Sequence, residues 1–174
     1  EYLGILLESY SSICVAGTHG KSTTTGILGH VLALQDECAY LIGDGHGYMP
    51  ERANHFVLES CEFQRHFLAY HPDYAIITNI EMDHVDYYKD MDDYVSAFQS
   101  FANQVKKGVV IFGDDAHLKN MHYNVPVTTY GMQDGNDYQA INIEQGPFGM
   151  HFDCKHNGEI LAHVELNEVG DPFM

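Results

Sequence analysis

Between Val15 and Gly26 the chain reads VAGTHGKSTTTG, a dozen positions of glycines, hydroxyls and one lysine directly after the apolar run SSICV. A bare backbone that leaves a strand and enters a helix brings amide N–H groups together at the helix N-terminus, where unpaired donors and partial positive charge favour an anion. Phosphate is the ligand these residue types suit. Gly17 and Gly20 permit close backbone approach, Lys21 has the reach for β- and γ-phosphate oxygens, and the Ser22 hydroxyl is placed to ligate Mg²⁺. The spacing departs from the usual G-x-x-x-x-G-K-[ST] loop, because Val15 stands where glycine is the rule and Gly17 falls inside a tighter GTHGKS. A glycine-rich turn that only caps a helix through Thr18 or Ser22 is the plainer alternative.

A second group of chemically capable residues follows later strands. Glu59 comes just after HFVL, and Asn79, Glu81, Asp83 and His84 come just after YAIIT. If these strands are parallel to the one before the glycine loop, all three end on the same sheet edge, where α/β folds bind ligands. Glu59 and His84 then face the phosphates, and a carboxylate beside an imidazole suggests a second divalent ion for phosphoryl transfer. Singly, each has an ordinary reading: Glu59 as a surface acid, His84 as one of twelve histidines, Asp83 or Asp86 as a helix cap.

The elements that must position these residues alternate along the chain. Short apolar runs predict strands at Ser12–Val15, Ala39–Ile42, Phe56–Leu58, Tyr74–Ile77, Val109–Phe112 and Val127–Tyr130. Helical spacing predicts helices over Lys21–Leu34, with Ile27, Leu28, Val31 and Leu32 on one face, over Glu62–Tyr70, and over Asp92–Val105, with Val95, Phe98, Phe101, Ala102 and Val105 inward. The expected fold is α/β: a P-loop-type, mostly parallel sheet with helices on both faces. After Gly131 the runs YQAINIEQ, GMHFDC and EILAHVEL have no helix between them, and Asn157-Gly158 is a hairpin signal. They predict a small C-terminal antiparallel sheet.

The chain's 174 residues suit one ordinary domain, and no apolar run approaches a membrane span. Eight basic residues against 25 acidic ones, a formal charge of -17, oppose binding to nucleic acid or anionic lipid. Cys14, Cys38, Cys61 and Cys154 form no C-x-x-C pair and read as reduced core residues of a cytoplasmic protein.

In order and spacing, GTHGKSTTTG, LESCEFQRHF and TNIEMDHVDYY resemble the ATP-binding central domain of the Mur ligases over nearly the whole chain, and GDDAHLKN is similar to a further family segment. His19 resembles the alanine-adding branch and its murein-recycling relative, and TNI followed by DHVDYY resembles the alanine-adding one more. The resemblance implies a cytoplasmic, ATP-dependent acid–amino-acid ligase of peptidoglycan precursor synthesis. In it, ATP phosphorylates the lactyl carboxylate of UDP-N-acetylmuramic acid, and the amine of L-alanine attacks the acyl phosphate. Residues 1–174 would then be the central domain alone, without the domains that hold the UDP-sugar and the amino acid, and inactive by themselves.

Carried onto matching positions, the resemblance makes Lys21, Glu59 and His84 catalytic, and Gly17, Thr18, His19, Gly20, Lys21, Ser22 and Thr23 nucleotide-binding. Ser22 and Glu59 would each ligate one Mg²⁺, His84 would complete the second magnesium site, and Glu62 would stand behind them. The loop GDGHG, Gly43 to Gly47, would lie towards the nucleotide-sugar or be a plain mobile loop. Several Mur ligases carry a modified lysine on the helix after the histidine, whereas Asp90 to Gln104 contains none. A murein-peptide recycling ligase of the same family and a non-catalytic nucleotide-binding module are the alternatives.

Overall fold

Every apolar residue of the first strand, β1 (Ser11–Ala16), has a use on one side of the sheet or the other. Val15 packs with Ile13, Cys38, Val57, Leu28 and Leu32 on one face, while Cys14 and Ala16 join the larger cluster on the opposite face. A strand covered on both faces must be apolar throughout, which is why SSICVA shows no polar alternation. The computed structural model describes residues 2–147 and 149–166. The chain divides into two compact units, residues 1–128 and 129–174.

In the first unit, β1 lies between β4 (His55–Glu59) and β5 (Tyr74–Ile77), with β2 (Cys38–Leu41) outside β4 and β6 (Gly108–Phe112) outside β5. These five strands are parallel; β3 (Gly47–Tyr48) pairs antiparallel with β2 at the edge. Val15 is opposite Glu59 and Ala16 opposite Ile77, so the loops after β1, β4 and β5 leave the sheet at one edge. Because connections depart from β1 in both directions, this edge contains the switch point where a doubly wound sheet opens a crevice.

The first long helix, α2 (Lys21–Ala33), follows the short α1 (Tyr2–Leu7) and covers the Val15 face. Its buried side differs from the expected one. Thr25 and Gly29 are buried and Leu28 and Leu32 face inward, whereas Ile27 and Val31 are 53% and 46% exposed. Both stripes have helical spacing, but this helix approaches β2 so closely that a Cβ on Gly29 would stand 2.9 Å from the Tyr40 ring. The smallest residue therefore chooses the face.

The opposite face is covered largely by aromatics. α3 (Met91–Ala102) buries Tyr94, Ala97, Phe98, Phe101 and Ala102, and is capped by Asp90, whose side chain accepts the Asp93 N–H at 2.8 Å. The expected helix over Glu62–Tyr70 is instead a 3₁₀ segment, Phe63–Ala69, broken by positive φ at Gln64 (50°) and Arg65 (59°). This break accompanies two tertiary contacts: Arg65 reaches Asp93 at 2.6 Å, and Phe67 stacks on Phe101 with ring centroids 4.8 Å apart. The short α1, β3 and α4 (Ala116–Asn120) have no counterpart in the periodicity reading, being too brief to show a period.

The expected C-terminal sheet is present. β8 (Tyr138–Gly146), β9 (Gly149–His156) and β10 (Glu159–Leu166) are antiparallel, and β8 also pairs in parallel with the end of β7 (Val127–Gly131). Asn157 (φ 52°) and Gly158 (φ 86°) form the two-residue turn between β9 and β10, with His156 opposite Glu159. Cys14 and Cys38 are buried as expected, but Cys61, beyond the end of β4, is exposed and Cys154 is half-buried. All four are free thiols. Among the described residues, no helix is long and apolar enough to cross a membrane.

Candidate functional site

The loop between β1 and α2 is held from behind by the segment after β5. Thr18 N–H donates to the Asn79 carbonyl at 3.1 Å, and the Asn79 side chain accepts the His19 N–H (2.9 Å) while donating to the His19 carbonyl (3.1 Å). Thr78 Oγ1 donates to the same carbonyl at 2.6 Å. The amides of Thr18 and His19 are thus spent on holding the loop. The first intrahelical bond is Thr24 N–H to Gly20 O, so the amides of Lys21, Ser22 and Thr23 precede the helical ladder and belong to its anion-attracting first turn.

The two glycines have different reasons to be glycine. Gly17 has φ 135°, and a Cβ there would lie 2.0 Å from Thr78 Oγ1, so it allows the loop to press against β5. Gly20 has φ 78°, and a Cβ there would meet no atom within 4 Å, so its surroundings are open where the helix begins. Gly20 is also the helix N-cap, in the left-handed conformation and with no side-chain cap bond. Neither Thr18 nor Ser22 caps this helix.

Lys21 turns back over the loop. Its Nζ donates to the carbonyls of Gly17 (2.7 Å) and Thr18 (3.0 Å) and lies 3.0 Å from Glu62 Oε2. Glu62 is only 1% exposed at its side chain and Lys21 14%, so two opposite charges share a mostly dry position. His84 Nε2 is 3.4 Å from Glu62 Oε1. His84 has a positive φ of 51°, in a turn where its carbonyl accepts the N–H groups of Tyr87 and Tyr88. Its ring lies 4.7 Å from Phe63 between centroids.

Among the described residues, Glu62, Asp83 and His84 bring ligand atoms within 4.8 Å of one another. Glu62 Oε2 is buried and makes no well-formed hydrogen bond, although it faces the Lys21 ammonium. Two carboxylates and an imidazole, one carboxylate oxygen left over, are a donor set that fits a divalent cation. Glu59 lies at the same sheet edge but outside this group; its Oε2 accepts the Gly43 N–H at 2.8 Å. A Cβ on Gly43 would approach Glu59 Oε1 to 2.7 Å, so the GDGHG loop sits directly on this carboxylate. His19 is exposed, its Nε2 3.6 Å from Glu81 Oε2, and Ser22 and Thr23 are exposed on the first turn of α2.

Two residues that the sequence reading passes over stand behind the site. Tyr94 Oη is 3.1 Å from Thr18 Oγ1, and Tyr88 Oη donates to the Glu62 carbonyl. Burial pushes the Tyr88 phenol up to about 12 and that of Tyr94 higher still, so both remain neutral donors at physiological pH. TNIEMDHVDYY does place Tyr88 near the candidate histidine, and Tyr94 follows on the next helix, but nothing in spacing says where their hydroxyls end. A cavity of about 510 Å³ belongs to the C-terminal unit and is lined by Glu144, His151, Asp153 and His163 among others, and one of about 440 Å³ is lined by Glu59, Cys61 and Arg65 among others.

A family model described as the Mur ligase middle domain matches residues 15–172. The chain belongs to the Mur ligase family. This middle-domain sequence is 50% identical over 171 residues to the UDP-N-acetylmuramate--L-alanine ligases of Lactiplantibacillus plantarum and Levilactobacillus brevis, covering 98% of this chain and 39% of each relative. The chain therefore spans well under half the length of these curated relatives. Among solved structures, the UDP-N-acetylmuramate-alanine ligase from Thermotoga maritima is similar with a TM-score of 0.79 and 25% identity, over 95% of this chain and 39% of that one. The UDP-N-acetylmuramate:L-alanyl-gamma-D-glutamyl-meso-diaminopimelate ligase from Neisseria meningitides superposes with a TM-score of 0.83 at 24% identity, over 97% and 59% of the two chains. The latter likeness is one of fold.

Proposed function

We propose that this Mur ligase middle domain holds ATP and Mg²⁺ for a ligase that joins L-alanine to the lactyl carboxylate of UDP-N-acetylmuramic acid. The observation that carries the reading is the placement of Lys21 and the buried Glu62, with His84, at the mouth of a helix whose N-terminus is bare. The 50% identity to alanine ligases supports alanine as the amino acid and gives no support to the peptide-recycling alternative. In the reaction, a carboxylate oxygen attacks the γ-phosphorus and ADP leaves. The alanine amine then attacks the acyl carbon, and phosphate leaves as the nitrogen loses a proton.

Within this scheme the first turn of α2 receives the phosphates, through the amides of Lys21, Ser22 and Thr23. Lys21 exchanges its loop carbonyls for phosphate oxygens and keeps Glu62 as counter-ion, so its charge stays aimed at the transferring group. Glu62, Asp83 and His84 are proposed to hold one divalent ion, with Ser22 and Glu59 as ligands towards the phosphates. A bound Mg²⁺ would neutralise charge developing on the phosphoryl oxygens. Thr18 and His19 hold the loop's shape, since their backbone groups and the Thr18 hydroxyl are bonded within the protein, and Gly17 lets the loop lie close against Thr78.

Isothermal titration of the chain with Mg·ADP and Mg·ATP tests the reading. Binding that requires Mg²⁺ and disappears in Lys21→Ala is expected; nucleotide binding unaffected by that substitution would overturn it. Ligation is expected only in a ligase containing the rest of the relatives' length, because holding and orienting reactants supplies about 7 to 11 kcal/mol of the barrier reduction. Amide formation by the 174 residues alone would refute that division of labour.

A further inference from the structure

The Thr18 hydroxyl has no capacity left for a ligand. It donates to the Glu81 carbonyl (2.9 Å) and accepts the Glu81 N–H (3.0 Å). Its single proton is spent, so in the 3.1 Å contact with Tyr94 the phenol must be the donor. Tyr88 likewise donates to the Glu62 carbonyl. The two rings meet edge to face with centroids 4.7 Å apart, and both are buried, Tyr94 at 0% and Tyr88 at 2% exposure. Phe98 backs Tyr94 at 5.2 Å, and the Arg65 guanidinium lies 5.5 Å over the Tyr88 ring while pairing with Asp93 on α3.

One rigid aromatic pair therefore holds both backbones that carry the Lys21–Glu62 ion pair. Tyr94 secures the loop residue whose carbonyl binds Lys21 Nζ, and Tyr88 secures the peptide of Glu62 itself. Phenylalanines would fill the same core without the cost of burying two phenols. We propose that Tyr88 and Tyr94 are positioning residues that set the separation between the phosphate loop and the Glu62–Asp83–His84 group. This rests on the nucleotide- and metal-binding reading above.

The test compares Tyr88→Phe and Tyr94→Phe with Tyr123→Phe, which removes another partly buried hydroxyl, one bonded to the Leu118 carbonyl at 2.7 Å, outside the aromatic pair. Each is titrated with Mg·ADP at several Mg²⁺ concentrations, beside a thermal melt. Tyr88→Phe and Tyr94→Phe should weaken Mg·ADP binding by roughly three- to tenfold and raise the Mg²⁺ midpoint, the loss of about one hydrogen bond's worth of placement. Tyr123→Phe should lower the melting temperature with affinity unchanged. The double variant should fall short of the product of the single effects, since the rings act as a unit. If either first variant fails to fold, Thr18→Val, which deletes the acceptor of the Tyr94 hydroxyl, should weaken binding, and a folded Thr18→Val that binds Mg·ADP like the parent would overturn the role.

Variants at Tyr88 and Tyr94 that melt lower yet bind Mg·ADP like the parent would overturn the positioning role and leave the nucleotide reading intact. A parent chain that binds no nucleotide would remove both.

Discussion

Lys21 and Glu62 stabilise each other unequally, because Glu62 has less water to fall back on. Removing the ammonium leaves a buried carboxylate with His84 as its remaining close partner, and breaking such a pair from one side costs about 3 to 5 kcal/mol. Lys21→Ala is thus expected to lower stability as well as abolish nucleotide binding, and the double substitution with Glu62→Gln should recover most of the stability and none of the binding. Chemical denaturation alongside titration separates the two; recovery of binding in the double variant would remove Lys21 from the phosphate site. For the metal group, Asp83→Asn or His84→Ala in a full-length ligase should raise the Mg²⁺ requirement more than the KM for alanine. A shift confined to the alanine KM would place these residues at the amino acid instead.

At the scale of the elements, the loop between β1 and α2 makes two glycine substitutions distinguishable. Gly17→Ala would drive a methyl into Thr78 Oγ1 at 2.0 Å while straining a φ of 135°, a combination expected to cost well over the roughly 1 to 3 kcal/mol of backbone strain alone. Gly20→Ala meets no neighbour and pays only left-handed strain, about 1 to 2 kcal/mol. It does, however, place a methyl in the open ground at the helix mouth. The expected outcome is a destabilised Gly17→Ala, and a folded Gly20→Ala whose affinity for Mg·ADP or sulfate falls about tenfold or more. Equal losses of melting temperature in the two would contradict the distinction.

Over the molecule as a whole, the two units respond to acid through their own carboxylates. In the second unit, Asp137 accepts from Thr129 N–H (2.8 Å) and Thr129 Oγ1 (3.0 Å), and these bonds hold its carboxyl below the ordinary carboxylate range. A carboxylate depressed in the folded state stabilises fully above its unfolded pKa, near pH 4, and that contribution is lost as pH falls through the lower folded value. Asp137 is largely exposed, so the effect is small. Asp137→Asn should therefore lower the melting temperature slightly at neutral pH and converge on the parent well below about pH 4, which flattens the acid limb; an unaltered acid limb would show that the bond carries no linkage.

Local chemistry was enough to read the strand positions, the hairpin at Asn157-Gly158 and the glycine-rich turn from β1 into α2, because each depends on residues within a few positions: apolar runs, positive φ, closely spaced glycines. The parallel edge followed from the same alternation. Which side of α2 is buried did not, since Ile27 and Val31 have the same period as Leu28 and Leu32, and the close approach of Tyr40 to Gly29 decided between them. Nor could spacing rank Glu62 against Glu59. Only the fold turned one towards Lys21 and His84 and the other towards Gly43, and only the fold aimed the Tyr94 hydroxyl from α3 at Thr18 of the loop and the Tyr88 hydroxyl at the Glu62 carbonyl. Contacts across tens of residues depend on how closely elements pack, a quantity that residue order alone does not contain.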